Sequence, residues 1–157
     1  MLTWMFLPFR RYADFAGRSR RKEYWQFTLL NLAVYAGCVA TMRAGGFEYD
    51  PLNAPAIVPA LRPAYGPLVQ IGAGALALWL LVAFVPILAV TIRRLHDRGI
   101  SAWFTLLFAA LSLIPVVGVL ASAVMLIVLC RPGTPATNQY GPDPRADDHR
   151  VPDTAAP

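Results

Sequence analysis

The chain has 157 residues, 57% hydrophobic and 15% charged, with a formal net charge of +5. An average soluble domain runs nearer to about 45–50% and 25%, so this chain has too little polar surface to clothe a water-soluble globule. One domain fits the length, and the positive charges adjoin long apolar runs, which points to anionic lipid headgroups as partner and not to nucleic acid.

Residues 1–23 read as a cytoplasmic basic and interfacial segment. They hold Arg10, Arg11, Arg18, Arg20, Arg21 and Lys22. The apolar stretch Trp4 to Phe9 is too short for the core of a signal peptide and precedes the arginines instead of following them, so the N-terminus is expected to be retained. With Tyr12 and Phe15 it supplies bulk for the headgroup boundary.

Residues 24–130 read as a transmembrane helical domain with spans at about 24–42, 66–92 and 100–130. The first, bounded by Glu23 and Arg43, is just long enough to cross a hydrocarbon core about 30 Å thick. Thr28, Asn31 and Thr41 make it the least apolar of the three. A loop follows with proline at 51, 55, 59, 63 and 67, a recurrence that favours extended, semi-rigid coil. Neither Pro63 to Ile92 nor Gly99 to Cys130 contains Asp, Glu, Lys or Arg. Backbone polar groups in lipid must be satisfied internally, and no period-two alternation is present, so helices are expected.

Between those runs, residues 93–98 carry Arg93, Arg94 and Arg98. The first loop has Arg43 and Arg62 offset by Glu48 and Asp50. This bias predicts a cytoplasmic N-terminus and a cytoplasmic 93–98 segment, with the Pro-rich loop outside.

The last apolar run would make a helix roughly 46 Å long, too long for one crossing and too short for two ordinary ones. Ile114-Pro115-Val116-Val117-Gly118 weakens its middle. Two topologies fit: one tilted, kinked span, or a hairpin of two short helices with a break near 115–118 that returns the tail inside. The hairpin is the favoured of the two. The fold class expected is thus an all-α membrane protein, a small multi-pass helical bundle of three apolar segments, with four helices under the hairpin topology.

Residues 131–157 form a Pro-rich tail. Its first half has turn chemistry suited to order at the membrane surface, and disorder is expected beyond about Arg145. The cysteines, Cys38 and Cys130, read as buried free thiols acting as small hydrophobes. No metal-binding spacing occurs and no cofactor is expected.

Two constellations could carry chemistry. In the first, Arg18, Arg21 and Lys22 recur at helical spacing beside Glu23, with Tyr24 and Trp25 where an interfacial aromatic belt should begin. Its plainest role is a topological anchor, and the sharper one is phosphate recognition. The second is Arg93-Arg94-Leu95-His96-Asp97-Arg98-Gly99. One His and one Asp do not make a metal site. The economical reading is a turn in which Asp97 pairs with an arginine, one from the first cluster included, while His96 bonds a backbone carbonyl.

Phe-x-Gly-Arg-x-x-Arg-x-Glu-Tyr-Trp-x-Phe at 15–27, Arg-Arg-Leu-His-Asp at 93–97 with Ser101 and Trp103 following, Pro-x-x-Gly at 115–118 and Asn-x-Tyr-Gly-x-Asp-Pro at 138–144 occur in this order. The set resembles the bacterial inner-membrane family called domain of unknown function 805. It departs from that pattern at Ala102, where the family has glycine, and in a longer first loop. The resemblance implies a multi-pass protein of the bacterial inner membrane and no particular activity. It also gathers the motif residues into the two basic segments and the tail, which favours the hairpin.

Arg18, Arg21, Glu23, Trp25, Arg93, Arg94, His96 and Asp97 are therefore the candidate surface for an anion, a lipid or a protein partner, with no catalytic or metal role assigned. Three function classes remain. One is a non-enzymatic membrane protein binding anionic lipid, a partner protein or a second copy of itself. Another is a transporter or channel component, which spans without acidic or basic side chains disfavour. The third is a membrane enzyme acting on a lipid or phosphate ester, for which Glu23, His96 and Asp97 are the only acid–base set at a suitable depth.

Overall fold

The computed structural model describes residues 3–48 and 65–146. Among them are five helices: α1 (Thr3–Arg10), α2 (Arg21–Ala44), α3 (Pro67–Asp97), α4 (Trp103–Leu111) and α5 (Pro115–Cys130). No strand occurs among the described residues, only an isolated bridge between Asn138 and Gly141. The protein is an all-α membrane protein. Helix α2 has 24 residues and α3 has 31, about 36 and 46 Å at 1.5 Å per residue, so each exceeds the hydrocarbon thickness. The Pro-rich coil expected beyond Glu48 and the disorder expected beyond Arg145 lie almost wholly outside the described residues.

Sequence explains where the long helices stop. Helix α2 ends in a Schellman motif, with Phe47 N–H bonding the Met42 carbonyl at 3.1 Å and Gly46 N–H bonding Arg43 at 2.9 Å. Gly46 has φ +85, a conformation that a Cβ disfavours. Helix α3 ends the same way. Ile100 bonds Leu95 at 3.0 Å and Gly99 bonds His96 at 2.9 Å, with Gly99 at φ +73.

The last apolar run is divided into α4 and α5, which pack on each other. The division falls at Ser112–Ile114, ahead of the 115–118 stretch. Ile114 is extended at φ −99, ψ 115, and Pro115 stands at the first turn of α5, where its missing N–H is no loss. Gly118 serves the turn differently: a Cβ there would lie 2.9 Å from the Ser112 carbonyl oxygen.

The chain forms two compact units, residues 26–85 and residues 1–25 with 86–157. In the first, Cys38, Met42, Phe47, Val69, Ala73 and Leu76 make a core. A Cβ on Gly72 would come within 2.7 Å of Met42 Cγ and 2.9 Å of the Cys38 carbonyl oxygen, so α2 and α3 meet here nearly backbone to backbone, as small residues allow in membranes. Trp79 Nε1 donates to Asn31 Oδ1 at 3.1 Å, and Asn31 Nδ2 returns its own proton to the Phe27 carbonyl at 2.8 Å. Outward, the helices are apolar: Leu81 on α3 is 74% exposed and Val116 on α5 75%, surface that lipid covers. Both cysteines are free thiols. Cys130 corrects one expectation, since it is exposed at the end of α5 and not buried.

Candidate functional site

The second unit, residues 1–25 with 86–157, contains a buried polar cluster. Arg18, Ser19, Glu23, Arg93, Arg94, His96 and Asp97 are all buried, the two α3 arginines completely. Three guanidiniums thus share an interior with two carboxylates, an arrangement tolerable only when nearly every donor finds an acceptor.

Asp97 is the centre. Its Oδ1 accepts Arg18 Nε at 3.0 Å and lies 2.9 Å from Arg18 Nη2, while its Oδ2 accepts Arg94 Nη1. The remaining donors of these arginines go to backbone carbonyls of the tail and of α5. Arg18 reaches Ala136 at 2.6 Å, and also Thr134 and Gly141. Arg94 reaches Leu129 at 3.1 Å and Arg131. Half-buried Arg98 donates to the Pro132 carbonyl. The tail backbone is short of donors because of its prolines, and arginine forks supply them.

Arg93 and Glu23 form a second buried pair, with Nη2 and Oε1 3.0 Å apart. The other Glu23 oxygen accepts Ser19 Oγ at 2.8 Å, and Ser19 N–H bonds the Arg93 carbonyl at 3.1 Å. Arg93 Nη1 is buried without a hydrogen-bond partner among the described residues.

The tail is held against the end of α3 by contacts with no slack. Thr134 N–H bonds the Asp97 carbonyl at 2.9 Å, and Asn138 Nδ2 bonds the His96 carbonyl at 2.9 Å. The His96 ring stacks on Tyr140 at 3.9 Å between centroids and 5° between planes, and its Nδ1 lies 3.3 Å from the Gly17 carbonyl oxygen. A Cβ on Gly133 would stand 1.9 Å from Asp97 Oδ2, so only glycine fits over that carboxylate. Farther out, burial raises the pKa of Asp143, but hydrogen bonds from the Arg145 backbone and side chain outweigh it and hold the carboxyl below its ordinary value.

Six of the eight sequence candidates, Arg18, Glu23, Arg93, Arg94, His96 and Asp97, are therefore brought together. Arg21 and Trp25 are not in the cluster: Arg21 is exposed and Trp25 half-buried, its ring edge-on to Tyr24 at 5.4 Å. Arg20, Arg21, Lys22 and Arg145, with Asp97, line a cleft of about 310 Å³. Ser19, Gly133 and Thr134 were not singled out by the sequence. Ser19 lay inside the first motif, whereas Gly133 and Thr134 carry no local signal. No group of three or more His, Cys, Asp or Glu suited to a metal ion occurs among the described residues.

A family model described as Protein of unknown function (DUF805) matches residues 12–142. The chain is 35% identical over 144 residues to the inner membrane protein YhaI of Escherichia coli (strain K12), covering 92% of this chain and 97% of that protein. It is also 35% identical over 152 residues to the inner membrane protein YhaH of the same strain, covering 93% and 99%. No solved structure matches the chain. With two near-full-length relatives named as inner membrane proteins and a family model that runs from within the first basic segment through residues 93–98 into the first part of the tail, the chain belongs to the DUF805 family of bacterial inner-membrane proteins.

Proposed function

We propose that this inner-membrane protein is non-enzymatic and presents, on the cytoplasmic side, a basic surface that binds anionic lipid headgroups. The observation that carries the reading is a division among its cations. Arg18 and Arg94 are consumed by Asp97 and by backbone carbonyls, and Arg145 by Asp143, whereas Arg21 and Lys22 stand exposed at a cleft that Arg20 and Arg145 also line. Asp97, the one acid in that lining, is already bonded to two guanidiniums. The cleft therefore keeps an excess of positive charge beside helices that enter lipid, and each such cation near an anionic leaflet adds about 1 kcal/mol of attraction. The excess of Lys and Arg in residues 1–23 and 93–98 supports a cytoplasmic N-terminus.

The same geometry speaks against acid–base chemistry. Glu23 and Asp97 are locked in ion pairs and His96 is stacked under Tyr140, so each candidate is committed to holding the fold. Native mass spectrometry of the full chain from mild detergent tests the proposal. Phosphatidylglycerol should be retained in preference to zwitterionic phosphatidylethanolamine, and Arg21→Ala combined with Lys22→Ala should erase the preference. Equal retention of both lipids would sink it.

A further inference from the structure

A second concavity lies in the same unit as the basic cleft. It has a volume of about 240 Å³ and is lined by Tyr24, Phe108, Ala109 and Ser112 on one side and by Ser122, Met125, Leu126 and Leu129 on the other. The four α5 residues fall at i, i+3, i+4 and i+7, one face of a helix, and their span covers about 10 Å of its axis. Several of these residues are exposed, so the groove opens outward along a helix pair that lipid surrounds.

Groove and cleft share structural walls. Arg94 donates to the Leu129 carbonyl, in the groove wall, and to Asp97, in the cleft wall. Tyr24 stands three residues after Arg21, one turn along α2 on the same face, and its N–H bonds the Arg20 carbonyl at 3.2 Å. The first turn of α2 thus lines both a cationic recess, through Arg21 and Lys22, and an apolar groove, through Tyr24. The first amides of α2 add the positive end of a helix dipole to the cationic side.

We infer that the two concavities are one site for a whole diacyl phospholipid with an anionic headgroup, its phosphate at the exposed Arg21 and Lys22 of the cleft and the first part of one acyl chain in the α4–α5 groove. This rests on the headgroup-binding reading above and deepens it, from a charged surface to a shaped site. Charge complementarity selects the occupant. A second copy of this chain would bring its own excess of basic side chains to the cleft, while an anionic lipid brings a phosphate and a chain in the right order. Ser112 and Ser122 mark the groove as able to tolerate a polar linkage, although the Ser112 hydroxyl is bonded to the Phe108 carbonyl at 2.8 Å.

A phosphatidylglycerol bearing a photoreactive diazirine on one acyl chain, reconstituted with the full chain, tests this directly. Crosslinks should concentrate on peptides containing residues 108–112 and 122–129, at roughly tenfold the density on the exposed α3 surface at Leu78 and Leu81, a ratio corresponding to ~1.4 kcal/mol. Ala109→Trp, and separately Ser122→Trp on the opposite wall, should remove that excess, with unchanged elution and melting showing that each variant folds. Uniform labelling of α3, α4 and α5 with headgroup preference intact overturns the groove and leaves the basic surface standing. Loss of the preference for phosphatidylglycerol over phosphatidylethanolamine in the unmodified chain overturns both. Lipid-independent protein–protein crosslinks through the groove residues would assign it to a second copy and overturn the lipid site.

Discussion

Asp97 is asked to neutralise two guanidiniums at once, and its environment leaves no substitute. In Asp97→Asn the shape survives, but Arg18 and Arg94 remain buried without a counter-charge. Removing one partner of a buried ion pair costs about 3–5 kcal/mol, and thermal melting in detergent should record a loss of that order. Gly133→Ala attacks the same carboxylate sterically, because the new Cβ would stand within bonding range of Asp97 Oδ2. The two changes act on one group, so the double variant should lose clearly less than the two single losses combined. At Tyr140 the ring matters more than the hydroxyl. Tyr140→Phe should retain the stack on His96, whereas Tyr140→Ala should lose about 0.5–1.5 kcal/mol beyond buried area.

At the scale of elements, the two glycine-ended helices behave alike and the α2–α3 contact is the vulnerable one. Gly99→Ala places a Cβ in a left-handed conformation at a cost of about 1–2 kcal/mol. Gly72→Val does more, since the Met42 side chain and the Cys38 backbone already occupy the space. It should separate α2 from α3 and lower the melting temperature further than Gly74→Val, where a Cβ meets nothing within 4 Å. The long helices were legible from the absence of charge, which any lipid-spanning segment must show. The break in the last run was legible in kind but displaced in place, because proline opens α5 and does not interrupt a helix. The site was half legible. Charge bias marks arginines near the membrane, but it cannot separate Arg18, spent on tail carbonyls, from Arg21, which remains exposed. Gly133 was invisible since its role is an absent side chain opposite a residue distant in sequence.

For the molecule as a whole, the bonds from Arg18 to Thr134 and Ala136 require residue 18 and the tail to lie on one side of the membrane. Reporter fusions after residue 146 and before residue 3 should therefore give the same topological signal, and opposite signals would rule out the tail docking. The sequence separation of those bonds also sets an order of events. Arg18 is 79 residues from Asp97 and 116 from Thr134, and chains are made from the N-terminus at about 5–20 residues per second. Asp97, the carboxylate that pairs with Arg18, is thus synthesised roughly 4–16 s after it, and the tail carbonyls later still, so Arg18 waits hydrated at the membrane surface until they arrive. The tail follows α5 in translation and closes this interior, so its docking reports that the end of α3 and the Arg18 segment are in place. A chain ending at Cys130 would insert its helices yet leave Arg18 without its three tail acceptors and Arg94 without one of its three, and pulse-chase labelling should find it cleared faster than the 157-residue chain.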